Sequence, residues 1–413
     1  MKNAPPKLWN KDFILLLLGM LFSLFANTLL RFTLPLYILI ESGDPALMAT
    51  VLTLTAIPLI ILSPMGGVLA DRVNKKKILV VSNLATAFAI VGYLLWADYF
   101  SAHLAITVLL FTALTFEGLI SPAQDSSIPS LVPAKDLLKA NGMTFLITTV
   151  TSIIGPIFAG LFLAQNNLLG ILLMSISAYL LASFFKALMK MPYHKQATTK
   201  GIIPQAMNDI KSSIHFMRKE NPIIGRLVII LFVFCLFTTP MLFIGLPVLI
   251  TGSFDMGEVN VGISTAIKTV GSVVGLALVG MLGKKMNIKN SRTLLLLESA
   301  MFVPVIVALL LVINNTTNFV ILTASFFIMQ IPATIVVVVM YAYVQEETPE
   351  ELVGKVIAFV GAAIVAGSAL GGQFYGELFA YFGNEPWVVL AVAFVFSLVV
   401  ALFANFPQSS KVI

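Results

Sequence analysis

The sequence predicts an all-α membrane protein with twelve transmembrane helices in two six-helix repeats and both termini in the cytoplasm. Of its 413 residues, 59% are hydrophobic and only 11% are charged. Soluble domains carry about a quarter charged residues, so an ordinary soluble fold is excluded. Long apolar runs follow one another along the whole chain, and the cations between them are unevenly distributed. No room is left for a sizeable soluble domain.

Twelve apolar runs are long enough to cross a bilayer, which takes a helix of about 20 residues. The first six predicted helices cover residues 12–40, 46–69, 78–97, 103–122, 139–164 and 168–189. The last six cover residues 225–251, 258–283, 292–314, 318–342, 354–380 and 386–406. The N-terminal cations and the apolar stretch after them resemble a signal peptide. However, the apolar run continues to Ile40, which favours a first membrane helix.

The positions of the cations predict the orientation of the chain. With the N-terminus inside, the predicted outer loops contain no Lys or Arg, and all but two of the 25 cations fall in inner segments. The two exceptions, Arg31 and Lys268, lie within helices. This distribution follows the positive-inside rule. The net charge of +6 is therefore a signal of topology, and nucleic-acid binding is a poor explanation of it.

A polar segment, residues 190–224, separates a predicted N-terminal bundle, 1–189, from a C-terminal bundle, 225–413. Apolar residues recur at helical spacing between Ile202 and Met217, with cations among them. This pattern suits a helix lying on the inner surface of the membrane. A solvated linker is an equally good interpretation.

The two halves resemble each other at their inner loops. The segments 128–137 and 345–354 both contain a proline, then an acidic residue beside a leucine, then the start of a helix. Six plus six helices with matching inner loops form the parallel-repeat pattern of a secondary transporter.

The loop Gly66–Lys77, with the sequence GGVLADRVNKKK, lies between the second and third predicted helices. It resembles the signature of the major facilitator superfamily, roughly G-x-x-x-D-R-x-G-R, with Asn74 in place of a glycine. A second copy, Gly280–Lys285, has a glycine where the acid would stand. The loops 128–137 and 345–354 resemble the branch that contains macrolide-efflux and siderophore-export proteins.

The resemblance implies an inner gate at the signature loop. In it Asp71, with Gly67 and Arg72 beside it, caps a facing helix, which we take to be the eleventh, starting near Gly354. A carboxylate near a helix N-terminus gains about 0.3–1 kcal/mol from the helix dipole. The alternative is that Asp71 is a solvated loop acid.

Two sets of small residues are interpreted as conformational contact points. Gly367 and Gly371 form a small-xxx-small pair in the eleventh helix, which lets helices approach closely. Gly155, Pro156 and Gly160 in the fifth helix resemble the G-P-x-x-G-G antiporter motif of drug exporters, with one glycine replaced. An incidental Gly-Pro kink is the alternative. Drug antiporters also usually carry an Arg in the fourth helix, which this chain lacks.

Charged side chains within a membrane are costly and are therefore candidates for function. Glu117 lies about 20 Å below the predicted outer face, and we predict that it couples transport to protons; reaching the inner interface is its alternative. Lys268, near the midplane, is predicted to bind an anionic group of the substrate, and balancing the charge of Glu117 across the cavity is the alternative. Arg31, toward the outer face, is predicted to act in substrate binding or entry, and an outer-gate role and snorkelling are the alternatives. Glu298 lies in a helix that is peripheral in the superfamily and is interpreted as structural.

These features predict a secondary transporter that exports bulky amphipathic drugs or antibiotics by proton antiport and alternating access. Phe25 and Phe116 are added as substrate-binding aromatic residues, because their helices line the cavity in the superfamily. An exporter of a carboxylate-bearing metabolite or metallophore and a non-transporting receptor are the alternatives. Without a nucleotide-binding loop or a catalytic motif, a pump and an enzyme are disfavoured. No metal or cofactor is predicted, and a monomer in the bacterial plasma membrane is expected.

Overall fold

The computed structural model describes residues 8–191, 202–282, 288–311 and 313–404, with the backbone alone for 63–72, 202–206 and 350. Twelve helices in this part of the chain are long and apolar enough to cross a membrane, which confirms the predicted all-α architecture. They are α1 Lys11–Ser42, α2 Pro45–Arg72, α3 Lys75–Trp96, α4 Ala102–Asp125, α5 Leu137–Leu163, α6 Leu168–Leu188, α7 Pro222–Ser253, α8 Glu258–Leu282, α9 Ile288–Leu310, α10 Asn315–Glu347, α11 Glu350–Tyr381 and α12 Pro386–Phe403.

The helices form two compact units. The first contains the described residues up to Leu34 and those between Thr55 and Asn208. The second contains Pro35–Leu54 and the described residues from Asp209 onward. The end of α1 and the start of α2 therefore cluster with the second unit. The domain boundaries predicted from the sequence stay a prediction.

The first unit is organised around α3, which packs against α4 and α6. Its buried face carries small polar residues whose hydrogen bonds stay within helices or cross to a neighbour. The Asn83 side chain donates to the Leu79 carbonyl at 2.7 Å, and the Ser183 hydroxyl of α6 donates to the Val80 carbonyl at 2.8 Å. These bonds satisfy the two side-chain donors, which would be costly without a partner in an apolar interior.

The second unit is built from closely packed helix pairs. α8 packs against α10, and α7 packs against α11. The Ser264 and Thr323 hydroxyls share a hydrogen bond of 3.0 Å across the first pair. In the second pair, Gly367 and Gly371 of α11 lie directly against backbone carbonyls of α7. Small residues make this approach possible, since no side chain separates the backbones.

The start of α2 packs against α11 within the second unit. The Thr50 hydroxyl donates to the Gln373 side-chain oxygen at 3.1 Å, and the Thr53 hydroxyl donates to the Ala369 carbonyl at 2.8 Å. A Cβ built on Gly376 would overlap Ala49. Small residues on both helices thus hold them together.

The segment between the two predicted bundles contains a helix, Ile202–His215, followed by a wide turn, Phe216–Glu220. Phe216 is buried in the apolar core of the second unit. Asp209 forms an ion pair of 2.9 Å with Lys355 near the start of α11. These contacts attach the part of the helix from Asp209 onward to the second unit, while the placement of the helix on a membrane surface stays a prediction.

Candidate functional site

Six polar side chains of the first unit form what we call the charge cluster. Ser23, Asn27 and Arg31 stand four residues apart on α1, so they share one face of that helix. Tyr179 and Lys186 stand seven residues apart on one face of α6, and Glu117 comes from α4. Each helix thus contributes polar residues from a single face of an otherwise apolar segment.

Lys186 is the most deeply buried member, with 0% of its surface exposed. Its ammonium donates to the Ser23 hydroxyl at 3.1 Å. Its aliphatic stem lies on Gly19 of α1, where a Cβ would stand 2.7 Å from the lysine Cγ. The glycine therefore leaves the space that the lysine fills, and the serine supplies one acceptor. A single hydroxyl is a weak partner for a buried ammonium, so the remaining stabilisation has to come from charge.

Glu117 supplies that charge. Its carboxyl interacts electrostatically first with Lys186 and next with Arg31, and it is repelled by Asp125 two turns along α4. Glu117 is only partly buried, whereas the lysine beside it is fully buried. The carboxyl thus lies between a buried cation on one helix and a second cation on another.

Arg31 is exposed, although it lies in the interior of a membrane helix. It interacts electrostatically with Glu117 and with the Tyr179 hydroxyl. The Tyr179 side chain also hydrogen-bonds to that of Asn27, which fixes its ring against α1. Arg31 therefore faces open space on one side and the other members of the charge cluster on the other.

The composition of the charge cluster makes it sensitive to protons. With every group in its ordinary state, two cations and one carboxylate give a charge of +1. A proton bound by Glu117 raises this charge to +2, and one lost by Lys186 lowers it to zero. Charge interactions are strong where water is largely excluded, so each step changes the forces among α1, α4 and α6.

Lys268 lies in the second unit and has a partner that its sequence position did not predict. It is 6% exposed, its ammonium donates to the Leu242 carbonyl at 3.3 Å, and it lies 4.7 Å from the centre of the Phe243 ring. Around Leu242 the helix α7 is π-helical, and the Leu246 N–H donates to the Met241 carbonyl. In this register Pro247 would have to donate to Leu242, but proline has no N–H. Lys268 therefore satisfies a carbonyl that the helix leaves open.

The aromatic and small residues singled out in the first unit lie on α1, α4 and α5. Phe25 packs edge-to-face on Phe158 with centroids 5.9 Å apart, and Phe116 is partly buried on α4. A Cβ on Gly155 would lie 2.6 Å from the Thr28 Cγ2 atom, so α5 approaches α1 closely beside Pro156. Gly160, one turn later, is also buried.

The signature loop is described in part. Helix α2 continues to Arg72, and the side chains of Gly67, Asp71 and Arg72 lie outside the described residues. Asn74, the residue that replaces a signature glycine, caps α3 by accepting the Lys77 N–H at 3.4 Å. Gly354 near the start of α11 is exposed.

Residues 16–372 match the sequence profile described as Major Facilitator Superfamily. The chain belongs to this superfamily. Macrolide efflux protein A of Streptococcus pyogenes is 21% identical over 388 residues, which cover 93% of both chains. The crystal structure of a peptide transporter, POT, superposes with a TM-score of 0.78 at 12% identity, covering 97% of this chain and 96% of that one. The nucleoside transporter NupG superposes with a TM-score of 0.76 at 13% identity, covering 95% and 98%.

Membership of the Major Facilitator Superfamily confirms the family predicted from the signature loop, and the superposed structures share its fold. The protein is a multi-pass membrane protein and a secondary transporter, not an enzyme. The prediction of a macrolide-efflux relative is also confirmed, as distant similarity over most of the chain. Membership favours a transporter over the receptor that the sequence left open.

Sequence reasoning missed four members of the charge cluster, Ser23, Asn27, Tyr179 and Lys186. It counted Lys186 with the inner-loop cations because the residue lies near the end of its apolar run, whereas the structure buries it inside the first unit. The four-residue spacing of Ser23, Asn27 and Arg31 was a usable signal, because it predicts one polar stripe on α1.

Proposed function

We propose that this superfamily member is an antiporter that exports bulky amphipathic compounds in exchange for protons, by alternating access. The observation that carries the proposal is Glu117, a partly buried carboxyl between two cations on different membrane helices. The similarity of the whole chain to a macrolide efflux protein favours export of drug-like molecules. Phe25 and Phe116 are proposed as apolar contacts for such a substrate.

Proton coupling would follow from competition for one carboxylate. An ionised Glu117 attracts Lys186, Arg31 and any cationic group of a substrate, whereas a protonated Glu117 attracts them much less. A proton and a substrate would therefore disfavour each other at this site, as antiport requires. Each can bias the protein toward one state only by its difference in affinity for the two states.

The conformational part of the proposal uses the predicted inner gate and the tightly packed helices. Both termini are proposed to lie in the cytoplasm, and the protein is proposed to be a monomer in a bacterial plasma membrane.

Lys268 is proposed to position α7, because its ammonium already donates a hydrogen bond to the Leu242 carbonyl. Its predicted contact with substrate would require release from that carbonyl. The gate residues are Gly67, Asp71, Arg72 and Gly354, and the packing residues are Gly155, Pro156, Gly160, Gly367 and Gly371.

Replacing Glu117 by glutamine is expected to abolish efflux driven by a pH gradient and to leave downhill substrate movement measurable. The amide keeps the size of the carboxyl but cannot carry a proton. The measurement is uptake of a labelled macrolide and of a cationic dye into proteoliposomes, compared between vesicles with an imposed pH gradient and vesicles without one.

Asp125→Asn is the matched control, since it removes a carboxylate from an exposed position on the same helix. It is expected to keep gradient-driven transport. A Glu117→Gln protein that still concentrates substrate in response to the gradient would refute the role of Glu117.

A second candidate is export of a carboxylate-bearing metabolite or metallophore. Arg31 favours this function, because its guanidinium is exposed within a membrane helix. The charge cluster to which it belongs also contains two cations and only one carboxylate. Guanidinium binds carboxylates with two parallel hydrogen bonds.

Arg31→Gln is therefore expected to raise the half-saturating concentration of an anionic substrate about tenfold and to change that of a neutral macrolide much less. Competition of both compound classes against a labelled substrate in proteoliposomes measures the difference. Equal effects on the two classes would argue against a carboxylate-binding role for Arg31.

A further inference from the structure

Glu298 is a buried carboxyl outside the charge cluster. It lies on α9, is 2% exposed, and its Oε2 atom has no hydrogen-bond partner. Its side chain hydrogen-bonds to the Thr238 hydroxyl of α7. A carboxylate with half of its hydrogen-bonding capacity unused is costly in an apolar interior. The group therefore needs an explanation beyond packing.

Among the described residues, the helices that face Glu298 supply no counter-charge. The helices packed against α9 are α10 and α12, and neither contains Lys, Arg or His. The cation of α7, Arg226, lies twelve residues before Thr238, about 18 Å away along the helix. The cations of α9 itself stand in its first turns. Titratable neighbours on the facing helices are Cys235 on α7 and Tyr341 on α10, and the charges of α10, Glu346 and Glu347, lie at its end.

The burial of Glu298 decides its charge. The Thr238 hydroxyl also lies 3.0 Å from the Phe234 carbonyl, so its hydrogen-bonding capacity is shared between the two groups. A carboxylate buried without a counter-charge and with one oxygen unpaired is strongly disfavoured, and such a group becomes neutral instead. We therefore take Glu298 to be a neutral carboxylic acid in this structure.

Helix α9 is interrupted one turn after this acid. Its regular segments are Ser291–Ala300 and Phe302–Leu310, with Met301 between them. Pro304 has no N–H to give to the Ala300 carbonyl, so one helical bond is missing at the break. The Met301 N–H donates instead to the Glu298 carbonyl at 3.2 Å. Proline breaks of this kind are points where a helix bends.

We propose that Glu298 is a second proton-binding site, located in the second unit and separate from Glu117. In this state the carboxyl keeps its proton because it is buried and none of the described helices packed against it brings a cation close. Bending of α9 at Met301 exposes the acid, its O–H bond breaks, and the proton passes to water and leaves a carboxylate. The inference extends the proposed proton coupling by giving the second unit a proton carrier of its own.

The test is infrared spectroscopy of the full-length protein in liposomes, which detects the C=O stretch of a protonated carboxyl. Wild-type protein is expected to show this band at neutral pH, and Glu298→Gln is expected to lose it. Glu117→Gln and Asp125→Asn are the controls and should keep it. Absence of the band in wild type, or its persistence in the double variant Glu117→Gln/Glu298→Gln, which lacks both proposed proton carriers, would overturn the proposal.

A second variant covers the case in which Glu298→Gln does not fold. Thr238→Val removes the hydroxyl beside the carboxyl and keeps the shape of the side chain, so the band is expected to shift in frequency. An unchanged band in Thr238→Val would show that the protonated carboxyl does not lie beside Thr238, against its assignment to Glu298.

Transport separates this inference from the function proposed above. Glu298→Gln should keep downhill movement of a macrolide and flatten the pH dependence of its efflux, and a wild-type pH profile would contradict a role as carrier. If wild type shows no proton-driven efflux, the antiport proposal fails while the infrared band still reports on Glu298. If efflux is proton-driven and the band is absent, only this inference fails.

Discussion

Replacing Lys186 by methionine is expected to lower proton-driven transport about tenfold. Methionine fills the space beside Gly19 without the charge, so the Ser23 hydroxyl loses its donor and Glu117 loses its stronger cationic neighbour. A buried polar group left without its partner costs about 1–3 kcal/mol, and 1.4 kcal/mol is tenfold in an equilibrium constant. The variant should therefore also unfold at a lower temperature.

The partner of Lys186 is identified by a double-mutant cycle. Lys186→Met combined with Glu117→Gln removes the two opposite charges together. The double variant should therefore lose less thermal stability than the sum of the losses of the two single variants. Proton coupling should stay lost in the double variant, because the carboxyl is absent. Lys190→Met is the control, since Lys190 is exposed one turn further along the chain. Additive effects in the cycle would mean that the two side chains act independently.

The number and type of helices followed from the sequence because a spanning helix has to be apolar over its whole length. That requirement leaves a continuous signal, and the predicted runs coincide with the observed helices to within a few residues at most ends. The irregular stretches of α7 left no such signal. Their π-helical register depends on Pro240, on Pro247 and on contacts from α8, and only the prolines can be read locally.

The candidate site could be predicted only in part. Glu117, Arg31 and Lys268 stood out because charges are rare in apolar runs, but their partners depend on which helices become neighbours. Lys186 was counted with the cations of the inner segments because the end of a helix and the start of a loop look alike in sequence. Glu298 was interpreted as structural from its helix alone, whereas its missing counter-charge became visible only once the facing helices were known.

Near Pro240, the closest approach of α11 to α7 is at Gly371. Pro240 gives no N–H to the Leu236 carbonyl, which therefore has no helical donor one turn ahead. Gly371 lies against this carbonyl, where a Cβ would overlap the oxygen and stand 2.7 Å from the carbon and 2.9 Å from the Pro240 ring. The added Cβ would be fixed to the α11 backbone, and the Leu236 carbonyl belongs to the α7 backbone. The overlap therefore cannot be relieved by rotating a side chain.

Gly371→Ala is accordingly expected to destabilise the protein by about 1–3 kcal/mol, the usual cost of overpacking. Gly361→Ala, on the same helix, is the control, because its Cβ would meet only the Tyr341 hydroxyl at 3.5 Å. Alanine is the better helix former by about 1 kcal/mol, so the control should be neutral or stabilising. Thermal unfolding of both variants in detergent measures the difference. Equal melting temperatures would mean that α7 and α11 separate easily, and that Gly371 is not needed for their contact.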